Sequence, residues 1–340
     1  MTEETVSASY ARAFLDFAVM KGASRDALFE RSGLLPAELA DPDSRIALGR
    51  HKRLTRAAKD LSGEPALALH FGESALFFER SILGLIIRSS TTMGEAFAQM
   101  NRYGPLVNDL AVTGAEGRFV IVREGRDIWL EDRRSNPNDF PEITESAVAR
   151  LVSDYERVFP ERPPFVKTIH MTHPEPSYRA EYDRILKTPL VFDCERNALR
   201  IDESWLNAPV PTANRYVFGI FSAHADTLLK SLEQSRTMRG TIESKLIPIL
   251  HTGDITMNEI AGKMGLSRPT LYRRLKDEGA SFERVLDELR CKMALHYLSA
   301  KKASVGEISY LVGFSDQAAF SRAFKRWTGK SPSEYRATNE

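Results

Sequence analysis

The hydrophobic positions in residues 256–336 follow one helical pattern that occurs twice. In each copy a short amphipathic segment ends at a glycine, Gly265 or Gly313, and a longer segment with apolar residues four apart follows. The two copies begin at Thr256 and Ser304, 48 residues apart. A glycine tolerates the left-handed backbone that ends a helix, and apolar residues four apart share one helix face. The pattern therefore predicts two helical hairpins.

Each copy also carries residues that can cap its helices. A Ser or Thr followed three residues later by a Glu matches the capping box at the start of a helix. The two boxes consist of Thr256, Glu259, Ser304 and Glu307. A serine after each glycine turn, Ser267 or Ser315, can cap the second helix, which carries arginines on its polar face. A short helix, a tight turn and a longer basic helix form a helix-turn-helix, whose second helix lies in the major groove of DNA.

Two ordinary hairpins with solvated arginines are the alternative, and the repetition of caps, turns and basic positions favours DNA binding. Between the copies, residues 281–299 have apolar positions at helical spacing. Such a helix would be about 27 Å long at 1.5 Å per residue. Two recognition helices held at its ends could reach two major-groove segments about 34 Å apart on one DNA face.

The repeated motif, the joining helix and the sequence from Gly313 to Arg336 resemble the AraC/XylS family of bacterial transcription regulators. The resemblance implies an all-α C-terminal domain that binds double-stranded promoter DNA through both recognition helices. The residues that it assigns to DNA are Arg268, Pro269, Thr270, Tyr272, Arg273, Ser315, Asp316, Gln317, Ala318, Ser321, Arg322, Lys325 and Arg326. Gln317 and Arg322 can read adenine and guanine edges, whereas Lys325 and Arg326 suit phosphates.

Charge is distributed unevenly along the 340 residues, although the net charge is only +1. From Thr241 onward there are 16 Lys and Arg against 12 Asp and Glu, and the remainder has 31 against 34. The length predicts two domains. A mildly basic end on a mildly acidic body is typical of a protein in which one module binds DNA.

Other classes of protein are disfavoured by what the sequence lacks. The two cysteines, Cys194 and Cys291, form no C-x-x-C pair, which predicts a reducing compartment and no metal site. The acidic start has no signal-peptide pattern and the apolar runs are short, so we expect a cytoplasmic protein without a membrane span. Phosphate-binding loops and nucleophile motifs are also missing from the sequence, and neither an enzyme nor a bound cofactor is expected.

Before residue 210 the pattern changes from helical to alternating and back. It predicts an α+β sensor domain, helical with a small antiparallel or mixed sheet. The predicted helices are 6–20, 24–32, 45–61, 141–158 and 177–186, and the predicted strands are 106–113, 118–123, 127–133, 166–172, 190–192 and 199–201. Residues 173–214 resemble the sensor domain of one AraC-type subfamily, which includes regulators of ornithine and arginine use and of mycobacterial virulence genes.

These patterns divide the chain into three parts. Residues 1–234 are expected to sense an effector and to form a homodimer, residues 235–241 to be a hinge, and residues 242–340 to bind DNA. A long amphipathic helix at 216–235 is either the dimerisation helix or the last helix of the sensor core. The family resemblance implies an activator that contacts RNA polymerase.

The sensor domain contains a strongly apolar stretch at residues 71–103, which either lines a ligand cavity or packs as core. The candidate effector-binding residues are Phe77, Phe78, Leu83, Tyr103 and Phe192. Such a lining suits a fatty acid or an aromatic compound. The alternative is a protein-interaction module without a small-molecule ligand. A wholly filled core around Phe77, Phe78 and Tyr103 would favour that alternative, and an apolar cavity with a few polar groups would favour an effector.

Overall fold

The computed structural model describes residues 4–74, 81–235, 237–300 and 303–338. The chain divides into two compact units, one up to Leu229 and one from Lys230. The helices that begin in the first unit are α1 (Ala8–Met20), α2 (Arg25–Ser32), α3 (Leu48–Ser62), α4 (Leu67–Glu73), α5 (Ile82–Ser89), α6 (Met93–Val107), α7 (Glu142–Val158), α8 (Arg179–Leu186) and α9 (Arg215–Ser235). Its strands are β1 (Thr5–Ser7), β2 (Arg45–Ala47), β3 (Asn108–Asp109), β4 (Phe119–Glu124), β5 (Asp127–Asp132), β6 (Val166–His170), β7 (Leu190–Val191) and β8 (Asn197–Ile201).

Local capping fixes several helix ends where the sequence predicts them. Ser24 caps α2, because its hydroxyl accepts a hydrogen bond from the amide of Ala27, and Gly33 ends the helix with φ 70°. The strand predicted at 106–113 is wrong at its start, because α6 continues to Val107 despite Pro105 within it. Buried residues on α6 recur at helical spacing up to Val107, so core packing decides the conformation.

The strands form two sheets. The first has the order β2-β1-β3 and is antiparallel. The second has the order β4-β5-β8-β6-β7, in which only the β6–β7 pair is parallel. The β4–β5 hairpin, which turns at Gly125 with φ 61°, confirms two adjacent predicted strands. The mixed second sheet agrees with the predicted α+β class.

The described residues of the first unit form two hydrophobic cores. One lies among the N-terminal helices and includes Phe14, Leu54 and Phe71, and the other lies between the second sheet and helices α7 and α8. Helix α4 lies close to α7 at Gly72, where an added Cβ would overlap the carbonyl oxygen of Ser146. The absence of a side chain there lets the two helices pack backbone to backbone.

The described residues of the second unit form short helices around a longer one. These helices are α10 (Met238–Leu246), α11 (Met257–Lys263), α12 (Arg268–Asp277), α13 (Phe282–Ala300), α14 (Val305–Leu311), α15 (Gln317–Thr328) and α16 (Pro332–Thr338). Helices α10 to α12 pack around one hydrophobic core, and α14 to α16 pack around a second. Met293 of α13 contacts both cores. Thr237 caps α10, so residues 238–241 of the predicted hinge are helical.

In the part of the chain that the structure describes, no helix combines the length and the hydropathy needed to cross a membrane. The same residues contain no cluster of three or more His, Cys, Asp and Glu side chains suited to hold a metal ion.

Candidate nucleic-acid interface and effector cavity

Helices α11 and α12 form the first helix-turn-helix. The Thr256 hydroxyl accepts a hydrogen bond from the amide of Glu259 at 3.3 Å, but the reciprocal half of the predicted capping box is missing because Glu259 pairs with Lys263 at 2.9 Å. Gly265 adopts φ 65° in the turn. Ser267 caps α12 through the amide of Thr270 at 3.3 Å, as the sequence predicts.

Helices α14 and α15 form the second helix-turn-helix. Here both halves of the capping box are present, with Ser304 and Glu307 bonded reciprocally at 3.2 and 2.7 Å. The expectation that Ser315 caps the second helix is wrong, because the cap is Asp316. Its Oδ1 accepts the amide of Ala319 at 2.7 Å. A carboxylate at a helix start is also stabilised by the helix dipole.

On α12 the apolar and polar positions lie on opposite sides. Leu271 and Leu275 are buried in the core, whereas most of the residues assigned to DNA point outward. The exposed ones are Arg268, Pro269, Tyr272 and Arg273. Thr270 is half-buried, and its hydroxyl lies 2.9 Å from that of Ser267. This helix therefore presents a basic face with one aromatic ring.

Helix α15 has the same division, with Phe320 and Phe324 buried. The exposed residues assigned to DNA at and around this helix are Ser315, Asp316, Gln317, Ala318, Arg322, Lys325 and Arg326, and Ser321 is half-buried. Arg326 donates to Asp287 of α13 at 2.9 Å. An exposed ion pair of this kind contributes about 0–1 kcal/mol, so a phosphate could displace it.

The second helix-turn-helix packs closely, backbone to backbone, against the segment that precedes the first. An added Cβ on Gly313, in the second turn, would overlap the carbonyl oxygen of Leu250, and Gly313 also lies close to Gly253. Arg290 of α13 stacks over the ring of Phe314, with its guanidinium 5.2 Å from the ring centre. Burial lowers the pKa of this guanidinium. The joint between the second motif and this segment is therefore tight and leaves little room for a side chain.

The first unit contains a cavity of about 450 Å³ between helices α5, α6 and α7. Its wall is mainly apolar, and Met93, Phe97 and Met100 of α6 contribute to it at intervals of three and four residues. Tyr155 of α7 and Trp205, which precedes α9, add aromatic surface to the lining. Ligand cavities in proteins have this size and this mainly apolar lining.

A few charged groups interrupt the apolar wall. Arg88 belongs to α5, and Arg150, Asp154 and Arg157 belong to α7. Burial lowers the pKa of the Arg150 guanidinium, and the nearby Asp154 carboxylate opposes that shift. Burial raises the pKa of the Tyr155 phenol in the same wall. The cavity thus combines an apolar body with charges concentrated on one helix.

The structure does not gather the predicted effector-binding residues in this cavity. Leu83 and Tyr103 lie in the core of the N-terminal helices, where the Tyr103 hydroxyl donates to Asp226 at 2.7 Å. Phe192 packs beside His173 and Tyr182 at the other core, with ring centres 5.4 Å apart in both pairs. Phe77 and Phe78 lie outside the described residues. Their role in effector binding stays a prediction, whereas the α6 residues that line the cavity were missed despite their helical spacing.

Two helix-turn-helix motifs joined by one helix, following an α+β unit, define a DNA-binding transcription regulator. The sequence profile of the N-terminal arabinose-binding domain of AraC transcription regulators matches residues 22–210, and a helix-turn-helix domain profile matches residues 260–338. Because the first match covers more than half of the chain, the protein belongs to the AraC family of transcription regulators. The family consists of regulators and not of enzymes, in agreement with the expectation from the sequence.

Individual relatives show how far the likeness extends. The chain is 28% identical over 338 residues to the ornithine utilization regulator of Pseudomonas aeruginosa, with 98% of this chain and 97% of that protein aligned. It is 38% identical over 112 residues to the Msm operon regulatory protein of Streptococcus mutans, over 32% of this chain and 40% of that protein. A comparison with the crystal structure of the transcriptional regulator CdpR from Pseudomonas aeruginosa gives a sequence identity of 22% and a TM-score of 0.44. The alignment covers 96% of this chain and 97% of that one.

Proposed function

We propose that this regulator is controlled by a small organic effector that binds in the α5–α6–α7 cavity of the first unit. The observation that carries the proposal is the cavity itself, about 450 Å³ with a mainly apolar lining and a few charged groups. Tyr103 packs in a core, as the alternative of a protein-interaction module expects, but the cavity is formed by other residues of the same unit and supports an effector. An effector controls DNA binding by stabilising one of two arrangements of the protein more than the other.

The DNA-binding part of the proposal assigns contacts to both recognition helices. Arg268 and Arg273 on α12 and Gln317 and Arg322 on α15 are exposed and suited to base edges or phosphates. The proposed assembly is a homodimer, and it activates transcription by contact with RNA polymerase. Residues 235–241 are the proposed hinge between the effector-sensing part of the chain and the DNA-binding part. Activation and the polymerase contact are supported by the family to which the chain belongs.

The test measures whether the affinity for DNA changes when a metabolite binds in the cavity. Full-length protein selects its sites from fragmented genomic DNA of its source, and affinity for a selected site is then measured by fluorescence anisotropy. Each titration is repeated with a deproteinised metabolite extract of the same cells. Met93→Trp is the test variant, since Met93 lines the cavity, and Met20→Trp is the control, since Met20 is 71% exposed.

The extract is expected to change the affinity of the wild type and of Met20→Trp about fivefold or more. Met93→Trp should bind the same DNA but lose the response, because the indole fills the space that the effector needs. A wild type that ignores the extract, or a Met93→Trp variant that responds as the wild type does, contradicts control through this cavity.

A further inference from the structure

The C-terminal end of α12 is bonded to the start of α10. The carboxylate of Glu278, the residue that follows α12, accepts the backbone amide of Met238 at 2.6 Å and that of Arg239 at 3.1 Å. Both amides belong to the first turn of α10, where backbone amides have no partner within the helix. A carboxylate at this end is also stabilised by the helix dipole. One side chain therefore joins the first recognition helix to another helix of the unit.

The second copy of the repeat has a different residue at this position. Gly279 and Gly329 match in the two copies, so Thr328 is the counterpart of Glu278. The Thr328 hydroxyl donates to the carbonyl oxygen of Phe324 at 2.9 Å, four residues earlier in the same helix. Glu278 instead bonds an amide that lies 40 residues earlier in the chain. The bond from Glu278 is therefore not a feature that the repeat itself requires.

Helix α10 gives Glu278 a fixed point of attachment. The buried face of α10 shares a hydrophobic core with α12 and α13. Arg239, whose amide Glu278 accepts, pairs through its side chain with Glu243 at 2.7 Å and with Glu288 of α13 at 2.6 Å. The start of α10 is thus held to α13 by charge as well as by the core, and Glu278 connects the end of α12 to it.

A single stripe of buried residues holds α12 against the core, and Leu271 and Leu275 lie one turn apart on it. The helix has 10 residues and is therefore about 15 Å long. Arg268 begins it, and the N-terminal residues of a recognition helix contact base edges. Groups that recognise a ligand must stay within about 0.5 Å of their productive position. A bond at the far end of α12 limits the tilt that would displace them.

We infer that Glu278 is a positioning residue for DNA recognition, because it fixes the angle at which the first recognition helix enters the major groove. The second recognition helix is held by other contacts, among them the close approach of Gly313 to Leu250. Base recognition by α15 therefore does not depend on Glu278. The inference rests on the proposed contact of both recognition helices with DNA.

Base discrimination at the two DNA segments tests this role. Full-length protein is titrated by fluorescence anisotropy with duplexes in which each base pair of a selected site is changed in turn. Arg268→Ala combined with Arg273→Ala identifies the base pairs that depend on α12, and Arg322→Ala identifies those that depend on α15. Glu278→Ala should reduce discrimination at the α12 base pairs from about tenfold to about twofold or less. Discrimination at the α15 base pairs should remain that of the wild type.

The matched control is Glu307→Ala, which removes the same kind of bond in the second motif. Glu307 is exposed like Glu278, and its carboxylate accepts the amide of Ser304 at 2.7 Å. This variant should keep wild-type discrimination at the α12 base pairs. Glu278→Ala retains the Thr237 cap of α10. The ratio of two affinities is also independent of the fraction of protein that is folded, so the comparison remains valid if stability falls.

Unchanged discrimination at the α12 base pairs in Glu278→Ala, or equal relaxation at both segments, overturns the positioning role. Failure of the proposed DNA contacts gives a different result, because it appears in the arginine variants. If no base pair depends on Arg268 and Arg273, α12 does not read bases, and the inference is overturned with that part of the proposed function.

Discussion

The Nη2 atom of Arg290 lies 2.9 Å from the carbonyl oxygen of Gly253. The same nitrogen also donates to the carbonyl oxygen of Gly313 at 3.4 Å. Gly313 belongs to the second helix-turn-helix, and Gly253 lies just before the first. One side chain of α13 therefore binds backbone of the second motif and of the segment just before the first. Because each motif carries its own small core, this contact helps to fix the distance between the two recognition helices.

Replacement of Arg290 by Met should loosen that joint. The variant leaves two backbone carbonyl groups without this donor, and we expect the free energy of unfolding to fall by about 1–3 kcal/mol. We also expect DNA affinity to depend less on the spacing between the two DNA segments that the recognition helices bind. Two motifs that are held less firmly can adapt to more spacings. Anisotropy with duplexes of varied spacing measures this. Arg284→Met on the same helix is the control, and equal spacing dependence in both variants contradicts the role of Arg290.

The burial of His51 predicts that the first unit loses stability in acid. Its ring is buried among Tyr10, Phe14 and Phe140, with ring centres 5.4, 5.5 and 6.1 Å away, and burial lowers its pKa to about 4. Because this pKa is depressed from an unfolded value of about 6.5, the neutral ring contributes stability above pH 6.5 that is lost as the pH falls towards 4.

The contribution of His51 corresponds to about 3 kcal/mol when the loss is complete. His51→Leu should therefore flatten the dependence of the free energy of unfolding on pH between 6.5 and 4, as measured by urea denaturation followed by circular dichroism. His224→Leu, at an exposed histidine of α9, should keep the slope of the wild type. A steep slope that persists in His51→Leu assigns the acid sensitivity to other groups.

Helix α9 carries two apolar residues one turn apart that face solvent, Tyr216 with 77% and Ile220 with 51% of their surface exposed. If α9 forms the proposed dimer contact, the double change Tyr216→Ser and Ile220→Ser should shift the protein from dimer to monomer. Light scattering coupled to size-exclusion chromatography measures this directly. Tyr272→Ser, at a tyrosine of α12 that is 56% exposed, should leave the mass unchanged. A double variant that remains dimeric shows that the dimer forms through another surface.

Local sequence was sufficient to predict both helix-turn-helix motifs. Their caps and turns depend on residues close in sequence, such as Ser304 with Glu307 and the positive φ of Gly265 and Gly313. The choice between Ser315 and Asp316 as the second cap was not predictable from the repeat, because both side chains can accept the amide hydrogen bond. Asp316 lies one residue later and makes the short contact.

The sensor unit was predicted less completely, because its sheet and cavity depend on contacts between distant residues. The hairpin of β4 and β5 was identified from its turn, but pairing of β8 with β5 and β6 brings together segments separated by long stretches of chain. Leu83 and Tyr103 are apolar enough to line a cavity and instead pack in the core. Periodicity shows that a residue faces inward, and only packing decides whether it meets a cavity or a neighbour.

The most direct test of DNA recognition by the second helix is the affinity of Arg322→Ala for a selected site, measured over a range of salt concentrations. Arg123→Ala is the control, because Arg123 is an exposed arginine of the first unit that pairs with Glu203 at 2.6 Å. The account predicts that Arg322→Ala loses about 1–3 kcal/mol of binding free energy, whereas the control binds as the wild type does. Arg322→Ala binding with wild-type affinity and the same salt dependence would contradict the placement of α15 on DNA.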